Sequence, residues 1–199
     1  FKEPTPGEPN NGTGYKNMAK SPEFSQPGGF YKNQVSVSLS SPSKSAVIRY
    51  TLDGSEPTEK SKVYTSPISL TKTTVVRAKS FEEGQLPSFT ATNTYFVNDT
   101  HTLTVVSVST DPDNLWDEQT GIFVKGPNAD SEFPYKGANF WQHWEKPIHI
   151  ELYEPDGTQG FSIDAGMRVF GAYSRAMDQK SLSIFARKEY GTERIEYPL

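Results

Sequence analysis

Between Gly166 and Leu182 the chain holds Arg168, Ser174, Arg175, Lys180 and Ser181, with Gly166 and Gly171 among them. Guanidinium and ammonium groups beside hydroxyls suit phosphate oxygens, and glycine lets a backbone approach a ligand closely. The charge distribution points the same way. From Asp99 to Asp164 there are twelve Asp/Glu against three Lys/Arg; from Ala165 to Leu199 there are six Lys/Arg against four Asp/Glu. Arg168, Ser174, Arg175 and Lys180 are therefore the candidate contacts for a phosphate-bearing ligand such as a nucleotide. The competing reading is a set of solvated cations opposing an acidic half, where each surface pair is worth little. Composition by itself favours that second reading.

Aromatic residues offer a different chemistry. Trp116, Tyr135, Trp141 and Trp144, with Phe140, are the candidates for a platform that stacks on the C–H faces of a sugar. The alternative is a loop whose rings fold back over a sheet as a lid on the core. A third cluster, Asp111, Asp113, Asp117 and Glu118, invites a calcium reading. It lacks the sixth-position Gly and twelfth-position Glu of an EF-hand, and Asp111-Pro112-Asp113 reads more simply as a capped turn, so no metal ligand is assigned. His101, His143 and His149 are scattered, and there is no Cys, which excludes disulfides and Cys-based zinc sites.

A net charge of −4 and a pI near 5.5 argue against a dedicated nucleic-acid binder. No segment has the apolar length to span a bilayer. With 15 Gly and 15 Pro in 199 residues, the chain reads as short strands joined by turns.

The elements that must position these residues follow from the pattern. Residues 1–20 read as a linker or the end of a preceding domain. From 21 to 97 the pattern is all-β: Val35, Val37 and Leu39 alternate with Ser, then strands are expected over 47–52, 64–70, 74–81 and 89–97. Asp53-Gly54 and Glu82-Glu83-Gly84 supply turns. That spacing describes a small β-sandwich. From 99 to 199 strands are expected over 103–108, around Ile148, Ile150 and Leu152, over 161–170 and over 181–187, with a long loop at 125–146. These should form one antiparallel sheet, open at its C-terminal edge. With Met167 and Val169 facing the core, Arg168 and Phe170 face the other way.

Residues 21–97 also carry a resemblance, through Pro22-Glu-Phe24-Ser-Gln-Pro-Gly28-Gly29-Phe30-Tyr31, Ile48-Arg-Tyr50-Thr-Leu-Asp53-Gly54-Ser-Glu-Pro57-Thr58, Val76-Arg77-Ala78-Lys79 and Thr94-Tyr95-Phe96. Together they resemble the immunoglobulin-like domain at the C-termini of chitobiases and hexosaminidases, also termed fibronectin type III-associated. The start of the chain, Pro4 to Asn10 within 1–12, is similar to the end of a lamin-tail-type domain.

The second half resembles the N-terminal part of the spore-coat CotH kinase family. The residues that carry this are Leu115-Trp116, Thr120 to Val124, Trp144-Glu145-Lys-Pro147, Gly166-Met-Arg168, Gly171-Ala-Tyr-Ser174-Arg175, Lys180-Ser181-Leu182 and Ala186 to Gly191. The resemblance implies a mostly β, kinase-like N-lobe, with Arg168, Ser174, Arg175 and Lys180 on the nucleotide side. It implies ATP and Mg²⁺ as needs of the full-length protein, with none in residues 1–199, and an extracellular or spore-surface setting with cell-surface or spore-coat proteins as partners. The family's catalytic and metal-holding Asp residues would lie beyond Leu199, and none maps onto this sequence. The rival expectation is a cell-surface module that binds cell-wall polysaccharide, with no kinase chemistry.

Phosphoryl transfer needs an orienting carboxylate and metal-holding groups around the γ-phosphate. Residues 1–199 alone are therefore expected to transfer no phosphate from ATP to protein. A radiolabel transfer assay showing turnover that disappears in Lys180→Ala would overturn this.

Overall fold

The computed structural model describes Gly7, Gly14, Tyr15 and residues 17–198. The stretch similar to a lamin-tail end, Gly7 apart, and most of the expected linker lie outside the described residues. There are two compact units. The first takes residues up to Leu52 together with Glu56–Asn98, and the second takes Asp53–Ser55 with residues from Asp99 on.

The first unit is a β-sandwich. Strands β1 (Glu23–Phe24), β2 (Gly29–Tyr31), β3 (Val35–Val37), β4 (Leu39–Ser40), β5 (Val47–Thr51), β6 (Lys62–Val63), β7 (Ile68–Leu70), β8 (Thr74–Phe81) and β9 (Ala91–Val97) follow one another. One sheet has the order β2-β9-β8-β5-β6, with β2 parallel to β9; β1 pairs with β4 and β3 with β7 in two short ribbons. Period-two alternation is clearest in β8, where Thr74, Val76, Ala78 and Ser80 are buried and the residues between them are half-buried. Sheet and ribbons share one core of Val35, Val37, Leu39, Ile48, Tyr50, Ile68, Leu70, Val76, Ala78, Tyr95 and Val97. Burying each such aliphatic side chain contributes about 1.5–3 kcal/mol.

Three differences from the sequence expectation have local causes. The strand expected over 64–70 is interrupted: Tyr64 N–H still reaches the Ile48 carbonyl at 2.8 Å, but Pro67 has no N–H to donate, so pairing resumes only at Ile68. Strands β1 and β2 are too short and too Pro/Gly-flanked to show a period. Residues of the expected linker are also tied in, since Leu86 N–H bonds Asn17 O and Ala19 N–H bonds Leu86 O, both at 2.9 Å.

The second unit is a four-stranded antiparallel meander, β10 (Val105–Ser109), β11 (Lys146–Tyr153), β12 (Gln159–Phe170) and β13 (Ser181–Phe185). Ile148, Ile150, Ala165, Met167 and Val169 form its core with Ile122, and Leu115, Phe123, Phe161, Ile163 and Ile184 pack around them. A bulge between Leu152 and Tyr153 shifts the β11–β12 register by one residue. One short helix, α1 (Pro112–Trp116), is capped by the Asp111 carboxylate, which accepts from Asp113 N–H at 3.0 Å, with Pro at its start.

The Asp-Gly-Ser-Glu-Pro run acts as a structural device. The Asp53 carboxylate accepts from Ser55 N–H (3.1 Å) and Oγ (2.6 Å), and Gly54 takes φ +86°. Glu56 then reaches Arg77 (2.6 Å) and Lys79 (2.7 Å) on β8, and Thr90 Oγ donates to it. Burial pushes the Glu56 carboxyl up, but bonds from Lys79 and Thr90 and the two cations outweigh it, holding the group below its ordinary 4.5. A depressed carboxyl stabilises the fold above its unfolded value, and that contribution is lost as pH falls through the folded value. Acid unfolding should therefore begin below pH 4.5, and Glu56→Gln should flatten this part of the stability curve; an unchanged acid limb in urea titrations would contradict the assignment.

Candidate functional site

The β12–β13 connection holds three of the four residues expected to meet phosphate. At Gly171, φ is +114°, so glycine is required by the backbone; a Cβ there would also stand 2.1 Å from Ser174 Oγ, which would have to turn away. A 3₁₀ turn over Tyr173–Ala176 follows. Arg175 is only 9% exposed; its Nε donates to Gly171 O at 2.6 Å and its Nη1 reaches Trp141 O at 3.4 Å. The guanidinium thus fixes the loop from within. Lys180 Nζ donates to Met177 O at 2.8 Å and lies 4.6 Å from the centroid of the buried Phe140 ring. Burial lowers its ammonium pKa, opposed by Asp178. Arg168 lies elsewhere: it projects from the sheet face opposite Met167 and Val169 and sits 4.6 Å over Phe185.

The sugar candidates also divide. Tyr135 and Trp141 belong to one cluster, in which Phe133 stacks on Tyr173 (6.2 Å, 27°), Tyr135 meets Phe133 edge-on (6.1 Å), and Trp141 meets Tyr173 edge-on (6.4 Å). Phe133 and Tyr173 are mostly exposed, and the Lys125 ammonium lies 3.4 Å over Tyr135. Trp141 Nε1 donates to Pro134 O at 2.8 Å, so its polar edge is satisfied. Phe140 beside it turns inward and is buried. Trp116 instead packs edge-on against Phe123 at 5.4 Å, and Trp144 carries the Lys146 ammonium at 5.9 Å.

Two polar groupings were not singled out from sequence. Glu145 accepts from Arg187 Nε (3.0 Å) and Nη2 (3.1 Å) and from Tyr190 OH (3.1 Å). Gly166 makes room for it, since a Cβ there would stand 2.2 Å from Glu145 Oε1. His149 meets Asp164 and Ser162 across β11 and β12. The alternation of Ile148 and Ile150 signals that His149 faces away from the core, but the bulge misdirects any register counted back from the Glu154–Gly157 turn. Among the described residues no group of three His, Asp or Glu is placed to hold a metal ion, and no helix is long and apolar enough to cross a membrane.

The first unit combines a two-layer strand order with the Glu56 clamp. Residues 26–94 match the family model of the chitobiase/beta-hexosaminidase C-terminal domain. The match covers about a third of the 199 residues and, Asp53–Ser55 apart, falls within the first unit. No curated protein matches the chain. In the matched stretch Glu56, Arg77, Lys79 and Thr90 satisfy one another. The chemistry-bearing loops belong to the second unit.

Tyr190 titrates at about 12, raised by burial first and then by the Glu145 hydrogen bond and charge. Folding holds the phenol neutral, so this contribution is complete below pH 10 and fades as pH rises towards 12. Glu145→Gln should move the Tyr190 titration back towards 10, and Gly166→Ala should do the same by displacing Glu145. Ultraviolet titration of either variant, with Tyr190→Phe assigning the signal, is the check; an unmoved titration would show that Glu145 does not hold Tyr190.

Proposed function

We propose that the chain is a non-catalytic part of an extracellular or spore-surface protein of the CotH kinase type. In this reading about 21–97 is an accessory β-sandwich, and about 99–199 is the nucleotide-side sheet. The full-length protein uses ATP and Mg²⁺ to phosphorylate serines of surface or coat proteins. The observation that carries the reading is the Gly171–Lys180 loop. A glycine opens it, a buried arginine pins it, and Lys180 stands at the head of β13 with a half-buried ammonium. Such a cation, partly withdrawn from water, interacts with phosphate oxygens more strongly than a freely solvated one. Arg175 supports the loop's shape, because its Nε and one terminal nitrogen are committed to backbone carbonyls.

A second reading is favoured by the exposed Phe133 and Tyr173 rings, with the half-buried Tyr135 and Trp141 against them, and by the carbohydrate-enzyme association of the matched domain. Here the chain binds cell-wall polysaccharide and transfers nothing.

Thermal unfolding separates the two. A ligand at tenfold its Kd stabilises by about 1.4 kcal/mol, a shift of several degrees. The expected result is a rise with ATP and Mg²⁺ that Lys180→Ala removes. A rise with cell-wall polysaccharide, removed by Tyr173→Ala and untouched by Lys180→Ala, would overturn the phosphotransferase reading in favour of the second.

A further inference from the structure

On the sheet face opposite Ile148 and Ile150, His149 Nδ1 lies 2.7 Å from Asp164 Oδ1 and His149 Nε2 lies 3.0 Å from Ser162 Oγ. A carboxylate only accepts, so Nδ1 carries the proton and Nε2 keeps a lone pair that accepts the Ser162 hydroxyl. The imidazole side chain is only 11% exposed, whereas Asp164 is 49% exposed and Ser162 is open to solvent. Ser109, the register partner of His149 on β10, has a buried hydroxyl without a hydrogen-bond partner. Ser162 therefore has the Nε2 lone pair to itself. A hydroxyl, a base within hydrogen-bond reach and a third group orienting the base constitute the arrangement that activates a serine.

We propose that Ser162 is an activated nucleophile that accepts acyl groups from activated esters, with His149 as its base and Asp164 as the residue that positions the base. Ser162 Oγ forms a bond to the ester carbonyl carbon while the bond to the leaving phenolate breaks. The hydroxyl proton passes to His149 Nε2 and then to the departing phenolate. Water later attacks the acyl-serine, releasing a carboxylic acid and restoring Ser162. Ser162 lies within a strand, without a turn of free backbone N–H groups to hold an oxyanion, which confines the reaction to esters with good leaving groups.

The test is acetylation by 4-nitrophenyl acetate, followed by mass spectrometry of the Ser162 peptide in the whole chain. A positioned base contributes about a hundredfold or more, so Ser162 should label about a hundredfold faster than the exposed Ser181. His149→Gln should bring it to the Ser181 rate. Asp164→Asn should slow it, and Asp164→Glu, which keeps the carboxylate, should retain most of it. Labelling of Ser162 at the Ser181 rate, or labelling unaffected by His149→Gln in a protein with native unfolding temperature, overturns the proposal. Should His149→Gln fail to fold, the comparison of Asp164→Asn with Asp164→Glu at an exposed position decides it alone.

Discussion

The register between Lys146–Tyr153 and Gln159–Phe170 is the constraint from which the second unit follows. Because side chains alternate across a strand, one choice of register places Ile148, Ile150, Ala165, Met167 and Val169 on one face. The same choice delivers His149, Ser162, Asp164 and Arg168 to the other. A slip of one residue would exchange the two sets and turn Asp164 and Arg168 toward the apolar face. The apolar face therefore selects the polar constellation without any direct requirement for it.

The loops depend on that hairpin in turn. Once Phe170 ends β12, Gly171 turns the chain and Arg175 is drawn under the turn by two carbonyls, one of them from Trp141 in the long 125–146 loop. Lys180 packs on Phe140 of the same loop. Two segments far apart in sequence thus hold each other's shape, through a guanidinium and an ammonium that were candidate phosphate contacts. Arg175 in this stretch is committed to backbone carbonyls, whereas the Lys180 ammonium makes a single carbonyl bond and stays half-exposed, and Arg168 lies on the sheet face.

Much of this was legible beforehand, and the remainder was hidden for definite reasons. The alternation of Val35, Val37 and Leu39, and of Ile148, Ile150 and Leu152, set strand positions and inward faces, because apolar periodicity is a direct consequence of burial. The mostly β fold followed from alternation and turn residues, and the resemblance of residues 21–97 to the matched family from the Tyr-Thr-Leu-Asp-Gly-Ser-Glu-Pro-Thr run. Partners across strands were not legible, since the extra residue at the bulge leaves no periodic trace. The separation of Trp116 and Trp144 from the Tyr135–Trp141 cluster was equally invisible, because loop conformation is set by particular bonds such as Trp141 to Pro134. Arg175 looked like a ligand contact because sequence shows its charge and not its burial.

The Glu56 clamp bears on how kinship should be read in chains of this kind. Within the run most specific to the matched family, Asp53–Ser55 form a turn with positive φ at Gly54, and Glu56 and Pro57 serve the sandwich as a carboxylate on two cations and a buried proline. Recurrence of that signature in another chain transmits an architecture. What such a chain recognises is written in residues free to vary around it.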